Sequence, residues 1–179
     1  MGGRVDEAAL VRAARHGDRE AFMQLVRVHQ AGVRAYAHGL LGDRVLAEDI
    51  AQEAFLRAWR GLGAFRGDAA FSTWLYTIAR RAALDEVRRP TVRTVPIQEA
   101  ATLADRRVVD PVLRGDLERA LQALEPAQRE AFLLVVVLGL SYQEVEGMTG
   151  CPAGTVGSRV FRARTRLAAA LRIREEDPA

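Results

Sequence analysis

The sequence contains no lysine and no asparagine, so all 26 of its basic residues are arginines. Both missing amino acids are encoded by A-rich codons, and a GC-rich genome is the simplest explanation of their absence. The consequence is that every cationic side chain is a guanidinium, which suits bidentate contacts to phosphate or guanine. The 23 acidic residues reduce the net charge to +3, a mild excess that identifies no partner by itself.

Cysteine and long hydrophobic runs are also scarce. Cys151 is the only cysteine, which excludes an intramolecular disulfide and predicts a reducing, cytoplasmic setting. The longest apolar run, residues 131–140, has about half the length that a bilayer requires, so no membrane insertion is expected. The amino-terminal residues are too charged for a signal peptide. With 49% hydrophobic residues, the chain has enough apolar side chains for a packed core.

The hydrophobic pattern is helical nearly throughout, without a strand signal. Asp6 and Asp18 are predicted to cap the first two helices, and Gly42 to end the second. A third helix is predicted over residues 45–62 and a fourth from 72–73 to just before Pro90. Prolines at 90, 96 and 111 interrupt the helical pattern. We therefore predict an all-α fold of two small helical domains, residues 1–90 and 113–179, joined by a flexible linker at 91–112.

The second domain carries the pattern of a helix-turn-helix. The stretch SYQE at 141–144 predicts a capping box, Gly150 and Cys151 form a turn, and Pro152 starts a helix that reaches residue 174. Residues 116–151 carry a net charge of −4, whereas residues 152–174 contain six arginines and no acid. This contrast favours a DNA-reading helix over a merely solvated basic helix. The candidate DNA contacts are Thr155, Ser158, Arg159, Phe161, Arg162 and Arg166. Val156, Val160 and Leu167 are expected to pack inward instead.

The third helix, AEDIAQEAFLRAWRGLGAF, has an apolar stripe and an opposite charged face, as any amphipathic helix does. More specific is the order of several motifs along the chain. AEDIAQEAFLRAWRGL is followed by FSTWLYTIAR, by AQREAFLLVVVLGLSYQEV and by GCPAGTVGSRVFRARTRL. This order resembles bacterial sigma factors of the extracytoplasmic-function (ECF) group of the sigma-70 family. The resemblance implies that the third helix binds core RNA polymerase through Asp49, Gln52, Glu53, Phe55 and Arg57.

The resemblance also implies that the loop at 61–70 and the helix at 73–89 open and read the −10 promoter element. Melted bases need stacking partners and phosphate contacts, which aromatic residues and arginines supply. The helical residues lying off the Trp74–Ile78–Ala82 stripe are expected to be exposed, Trp74 is expected in the core, and Phe65 either wedges into DNA or pins the loop. The candidate set is Phe65, Arg66, Tyr76, Thr77, Arg80, Arg81 and Arg88.

Three positions depart from the family pattern. Arg81 stands where relatives often have asparagine, which makes a strand contact purely ionic. Gly157 stands where relatives commonly have a basic residue, so that DNA contact does not transfer to this chain. Glu146–Gly147 replaces a more usual Ala-Ile continuation in the short helix of the helix-turn-helix.

The resemblance implies an initiation factor with three partners: core RNA polymerase, promoter DNA as a −35 duplex and a single-stranded −10 element, and a cognate anti-sigma factor. It further implies a specialised, stress- or signal-responsive regulon. A flexible linker would permit a compact, occluded state and an extended, polymerase-bound one. The alternative is a stand-alone helix-turn-helix regulator. No enzymatic activity, cofactor or metal site is expected, because the three histidines lack metal-ligand spacing.

Overall fold

The structure is a computed structural model that describes residues 6–88 and 111–175. Within these ranges the chain is helical and has no β-strand, which confirms the all-α, two-domain prediction. The first unit contains α1 (Glu7–Arg15), α2 (Arg19–Leu41), α3 (Arg44–Gly61), a 3₁₀ turn (Leu62–Ala64) and α4 (Phe71–Arg88). The second contains α5 (Pro111–Gln122), α6 (Pro126–Phe132), a π turn (Leu133–Val137), α7 (Tyr142–Thr149) and α8 (Ala153–Glu175).

Aspartate side chains start the first three helices. Asp6 and Asp18 each accept a hydrogen bond from the backbone three residues on, both at 3.1 Å, as predicted. Asp43 caps α3 in the same way at 3.0 Å, so this helix begins earlier than the sequence pattern indicated. Gly42 ends α2 with a φ of 72°, a conformation that favours glycine. Local chemistry therefore fixes most helix boundaries in the first unit.

The first unit packs around α2, which contacts α1, α3 and α4. Its largest fully buried side chains include Leu25, Val33 and Tyr36 on α2, with Leu75 on α4. The buried face of α3 is instead made of small residues, namely Ala47, Ala51, Ala54 and Ala58, together with Ile50. These alanines allow the backbones of α3 and its neighbours to approach closely.

The second unit is organised around α8, which contacts α5, α6 and α7. Pro126 and Gly139 are the usual start and stop signals of a single helix. The regular helix instead ends at Phe132 and continues as a π turn, after which Gly139 adopts a φ of 72°. The two units share one continuous hydrophobic core, in which side chains of α2 meet the π turn. Most of the predicted linker, residues 91–110, lies outside the described residues.

Candidate nucleic-acid interface

The helix-turn-helix starts with the predicted capping box, which is confirmed. Ser141 Oγ accepts a hydrogen bond from the Glu144 backbone at 3.2 Å, and Glu144 Oε2 accepts one from the Ser141 backbone at 2.8 Å. The second carboxylate oxygen of Glu144 accepts from Thr73 Oγ1 of the first unit at 2.6 Å. The hydrogen bonds from Thr73 and then Ser141 lower the pKa of Glu144. The carboxylate thus stays charged at the positive end of α7.

One face of α8 is packed and the opposite face is open. Val156 and Val160 are each 1% exposed and Leu167 is 6% exposed, which confirms that these positions face inward. On the far side of the helix, Ser158 and Arg162 are exposed, and Phe161 is 72% exposed. A row of hydroxyl, aromatic and guanidinium groups opposite a packed face has the chemistry to contact base edges and phosphates in a major groove.

The other three candidates on α8 differ in their surroundings. Thr155 is exposed in the first turn, where its carbonyl accepts a hydrogen bond from Ser158 Oγ at 2.9 Å. Arg159 is half-buried and its Nη1 lies 3.1 Å from the sulfur of Cys151. Arg166 is exposed and pairs with Glu125 at 3.2 Å. Arg159 and Arg166 therefore flank the open face, and the remaining candidates lie on it or at its edge.

Some of the −10 candidates are exposed, and others already make hydrogen bonds within the protein. Arg66 in the loop and Arg81 and Arg88 on α4 are exposed. Thr77 is half-buried and donates to the Thr73 carbonyl at 2.8 Å. Arg80 Nε donates to Glu130 of the second unit at 2.8 Å, and the two side chains are only 19% and 21% exposed. The second unit therefore occupies one of the predicted strand contacts.

One expectation of exposure, that of Tyr76, is wrong. Tyr76 is 7% exposed, with its ring edge-on to His29, and Phe65 is 8% exposed against Phe71 and Trp74. The reason is that α4 packs against both α2 and α3, so its buried face is wider than a single stripe. Phe65 pins the loop to α4, which was one of its two expected roles. Trp74 packs in the same aromatic cluster, as expected for a core residue.

The third helix presents the predicted polymerase-binding residues at its surface. Asp49 and Gln52 are exposed and Phe55 is half-buried. Glu53 accepts a hydrogen bond from Arg57 at 2.7 Å, and Arg57 also reaches Asp85 of α4 at 3.5 Å. These ion pairs fix the orientation of the charged side chains beside Gln52.

Phe55 and Gln52 also line a groove of about 480 Å³ between α2 and α3. Its other wall was missed by the sequence analysis and includes Met23, which is 45% exposed, with Val26. Leu56 of α3 adds a side chain that is 50% exposed. The missed signal is Met23, an apolar residue outside the main stripe of α2. Exposed apolar side chains gathered in one groove mark an interaction surface.

Across residues 6–88 and 111–175, no three histidine, cysteine or acidic side chains gather in a metal-ligating group. Over the same ranges, each helix is either too short or too polar to cross a bilayer.

Comparison with known proteins matches both units. The sigma-70 region 2 family model matches residues 25–92, and the sigma-70 region 4 model matches residues 114–167. SigM, an ECF RNA polymerase sigma factor of Mycobacterium tuberculosis, is 40% identical over 94% of this chain and 87% of its own length. The ECF sigma-E factor of Escherichia coli is 36% identical over 92% of this chain and 93% of its own length. The chain therefore belongs to the sigma-70 family and is an RNA polymerase sigma factor of its ECF group.

Solved structures agree with this assignment. RpoE of Bartonella quintana, in complex with the anti-sigma factor NepR, is 30% identical, with a TM-score of 0.69 over 85% of this chain and 97% of that one. CnrH in complex with the cytosolic domain of CnrY is 26% identical and has a TM-score of 0.70. The match covers 93% of this chain and 97% of CnrH. The family is one of sigma factors, which are not enzymes.

Proposed function

We propose that this chain directs core RNA polymerase to a specialised set of promoters. It recognises the −35 element as duplex DNA and binds the −10 element as a single strand. The observation that carries the −35 assignment is the open face of α8, with Ser158, Phe161 and Arg162 opposite the packed Val156 and Val160. Thr155, Arg159 and Arg166 add contacts at its edges. The domain boundaries that go with this proposal are residues 1–90 and 113–179.

In the first unit, the −10 strand contacts are Arg66, Thr77, Arg80, Arg81 and Arg88. Arginines can hold phosphates and stack on unpaired bases, which the melted strand requires. Phe65 and Tyr76 support this surface from within, because both are buried. The clamp of core polymerase binds the α2–α3 groove and the adjoining charged face of α3, through Asp49, Gln52, Glu53, Phe55 and Arg57.

We further propose that the protein works in the cytoplasm, has no catalytic activity of its own, and is held inactive by a cognate anti-sigma factor until a stress or signal arrives. The anti-sigma proposal rests on the two solved relatives, one in complex with the anti-sigma factor NepR and the other in complex with the cytosolic domain of CnrY. A stand-alone repressor would not need an apolar groove beside the charged face of α3.

Run-off transcription with core polymerase on genomic DNA, followed by mapping of start sites, tests the function directly. The expected result is initiation at a limited set of promoters that share −10 and −35 sequences. Asp49→Ala should weaken binding to core polymerase, whereas Glu20→Ala on the exposed side of α2 should leave it unchanged. Specific duplex binding without any transcript would favour the stand-alone regulator.

A further inference from the structure

Asp85 is a carboxylate in the middle of the proposed strand contacts on α4. Steps of four, four and three residues place four side chains along one side of this helix, namely Thr77, Arg81, Asp85 and Arg88. The other three are proposed contacts to the −10 strand. A carboxylate among them repels the phosphates that the two arginines attract. Asp85 therefore weakens this row unless another cation neutralises it.

The neutralising cation comes from the neighbouring helix. Arg57 of α3 has its Nη1 3.5 Å from Asp85 Oδ2. Its Nε donates to Glu53 Oε1, one turn earlier on α3, at 2.7 Å. The hydrogen bond to Glu53 is the main cause that raises the pKa of Arg57, and the contact with Asp85 adds to it. The guanidinium is thus a permanent cation held between carboxylates of two helices.

Arg81 and Arg88 stay unpaired while Arg57 holds Asp85. Both are exposed, and neither forms an ion pair with another residue in the part of the chain that the structure describes. Yet both are within reach of Asp85 along the helix, since Arg81 precedes it by four residues and Arg88 follows it by three. Opposite charges at these spacings attract each other. Without Arg57, Asp85 would pair with one of these arginines and compete with DNA for it.

We propose that Arg57 is a positioning residue of the −10 strand site, which it serves by holding Asp85 away from the two strand-binding arginines beside it. Its effect on the strand passes through Asp85, so Arg57 itself touches neither base nor phosphate. The helix that presents the polymerase contacts thereby also maintains the strand surface of its neighbour. This inference rests on the proposed role of α4 in strand binding, and it gives Arg57 a task beyond its proposed polymerase contact.

Four variants of the full-length chain separate this role from a direct contact. Arg57→Gln releases Asp85, Asp85→Asn removes the charge that would be released, and a third variant combines both changes. Arg27→Gln is the matched control, because Arg27 also pairs with a carboxylate, that of Glu20 at 3.1 Å, but on the exposed side of α2. Circular dichroism and urea denaturation verify that each variant is folded before its binding is measured.

Strand affinity is measured by fluorescence anisotropy with a fluorescein-labelled pool of random-sequence single-stranded DNA, at low salt where charge interactions are least screened. Arg57→Gln should weaken this binding about threefold, because the released Asp85 then forms helical ion pairs that compete with phosphate. The same substitution in the Asp85→Asn background should change the affinity little, since no carboxylate is left to release. Asp85→Asn alone should bind at least as tightly as the wild type, and Arg27→Gln should match the wild type.

Two results would overturn the positioning role of Arg57. One is a loss of equal size in both backgrounds, because Arg57 would then act on the strand without Asp85. The other is unchanged strand binding in Arg57→Gln. Binding to core polymerase is measured in parallel, and a direct polymerase contact of Arg57 predicts a loss there that Asp85→Asn does not restore. Failure of the proposed function is seen separately, as an absence of transcripts from the wild-type protein with core polymerase.

Discussion

The ring of Tyr142, at the start of α7, lies against Gly157 in the second turn of α8. A Cβ atom at position 157 would meet Tyr142 Cε2 at 3.4 Å, which is ordinary van der Waals contact. The glycine is therefore not required by lack of space. It lies at the side of α8, between the packed face and the open face that carries Ser158 and Phe161.

Two substitutions of Gly157 test its effect on helix stability and its effect on DNA binding separately. Gly157→Ala should stabilise the protein by up to about 1 kcal/mol through helix propensity, without changing the salt dependence of DNA binding. Gly157→Arg should tighten DNA binding and steepen its salt dependence by about one unit of slope, because one more phosphate is neutralised. Fluorescence anisotropy on a mapped −35 duplex over a salt series measures the DNA affinity of each variant and its salt dependence. A slope unchanged by the arginine would show that position 157 does not face DNA.

Phe161 is the most exposed large apolar side chain in the described part of the chain, at 72%. On a DNA-reading helix, such a ring is expected to contact a thymine methyl group. Replacing the thymines of the mapped −35 element one at a time with deoxyuridine should weaken binding at one position by about 1 kcal/mol. Phe161→Ala should lose affinity for thymine-containing DNA and no longer distinguish the two bases. Equal sensitivity of Phe161→Ala and the wild type to deoxyuridine would contradict this contact.

Arg129 of α6 connects the ends of α2 and α5 through one guanidinium. It donates to the carbonyls of Leu40, Gln122 and Leu124, at 3.1, 2.6 and 3.2 Å. Burial lowers the pKa of Arg129, but the hydrogen bonds to these carbonyls hold the charged form. Arg129→Met leaves the carbonyls without a donor and should reduce the free energy of unfolding by about 2 kcal/mol, measured with urea. Arg119→Met, on the exposed side of α5, should change it little; equal losses would show that the buried carbonyls do not matter.

His29 makes the first unit sensitive to mild acid. Its Nε2 lies 3.2 Å from Glu7 and its ring is enclosed by Phe71 and Tyr76, so that burial lowers the pKa of His29 more than Glu7 raises it. The unfolded chain therefore binds the proton more tightly than the folded chain. The stabilisation from neutral His29 is fully present above pH 6.5, the pKa of an unperturbed histidine. It declines as the pH falls from there towards the lower pKa of His29 in the folded state. The limiting slope is about 1.4 kcal/mol per pH unit.

Urea denaturation between pH 7.5 and 5.5 measures this decline. His29→Gln should be less stable at neutral pH but should lack the slope, because glutamine does not titrate. His16→Gln, at an exposed position after α1, should retain the wild-type slope. A slope that persists in His29→Gln would assign the proton to another group.

The features that could be predicted from sequence are those fixed by neighbours along the chain. The caps at Asp6 and Asp18, the Ser141–Glu144 box and the inward face of Val156 and Val160 depend on residues within one or two turns. The burial of Tyr76 and the pairing of Arg80 with Glu130 depend on packing between helices far apart in sequence. No local pattern distinguishes an arginine that faces solvent from one that meets a carboxylate fifty residues away.

The π turn and the α2–α3 groove escaped prediction for a related reason. Leu133–Val137 has the composition of an ordinary buried helix, and its wider turn places Leu133 against Gly39 of α2. Met23 and Leu56 are apolar positions outside the main stripe of their helices. Each is unremarkable alone, and they define a groove only once α2 and α3 lie side by side.

Glu144 divides its two oxygens between two tasks. Oε2 belongs to the cap of α7, whereas Oε1 reaches Thr73 in the first unit. If the units separate, only Oε1 changes partner, and water can replace the lost hydroxyl while the cap stays complete. The cap of α7 therefore does not depend on the contact with the first unit, and the helix-turn-helix would keep it in any state in which that contact is absent.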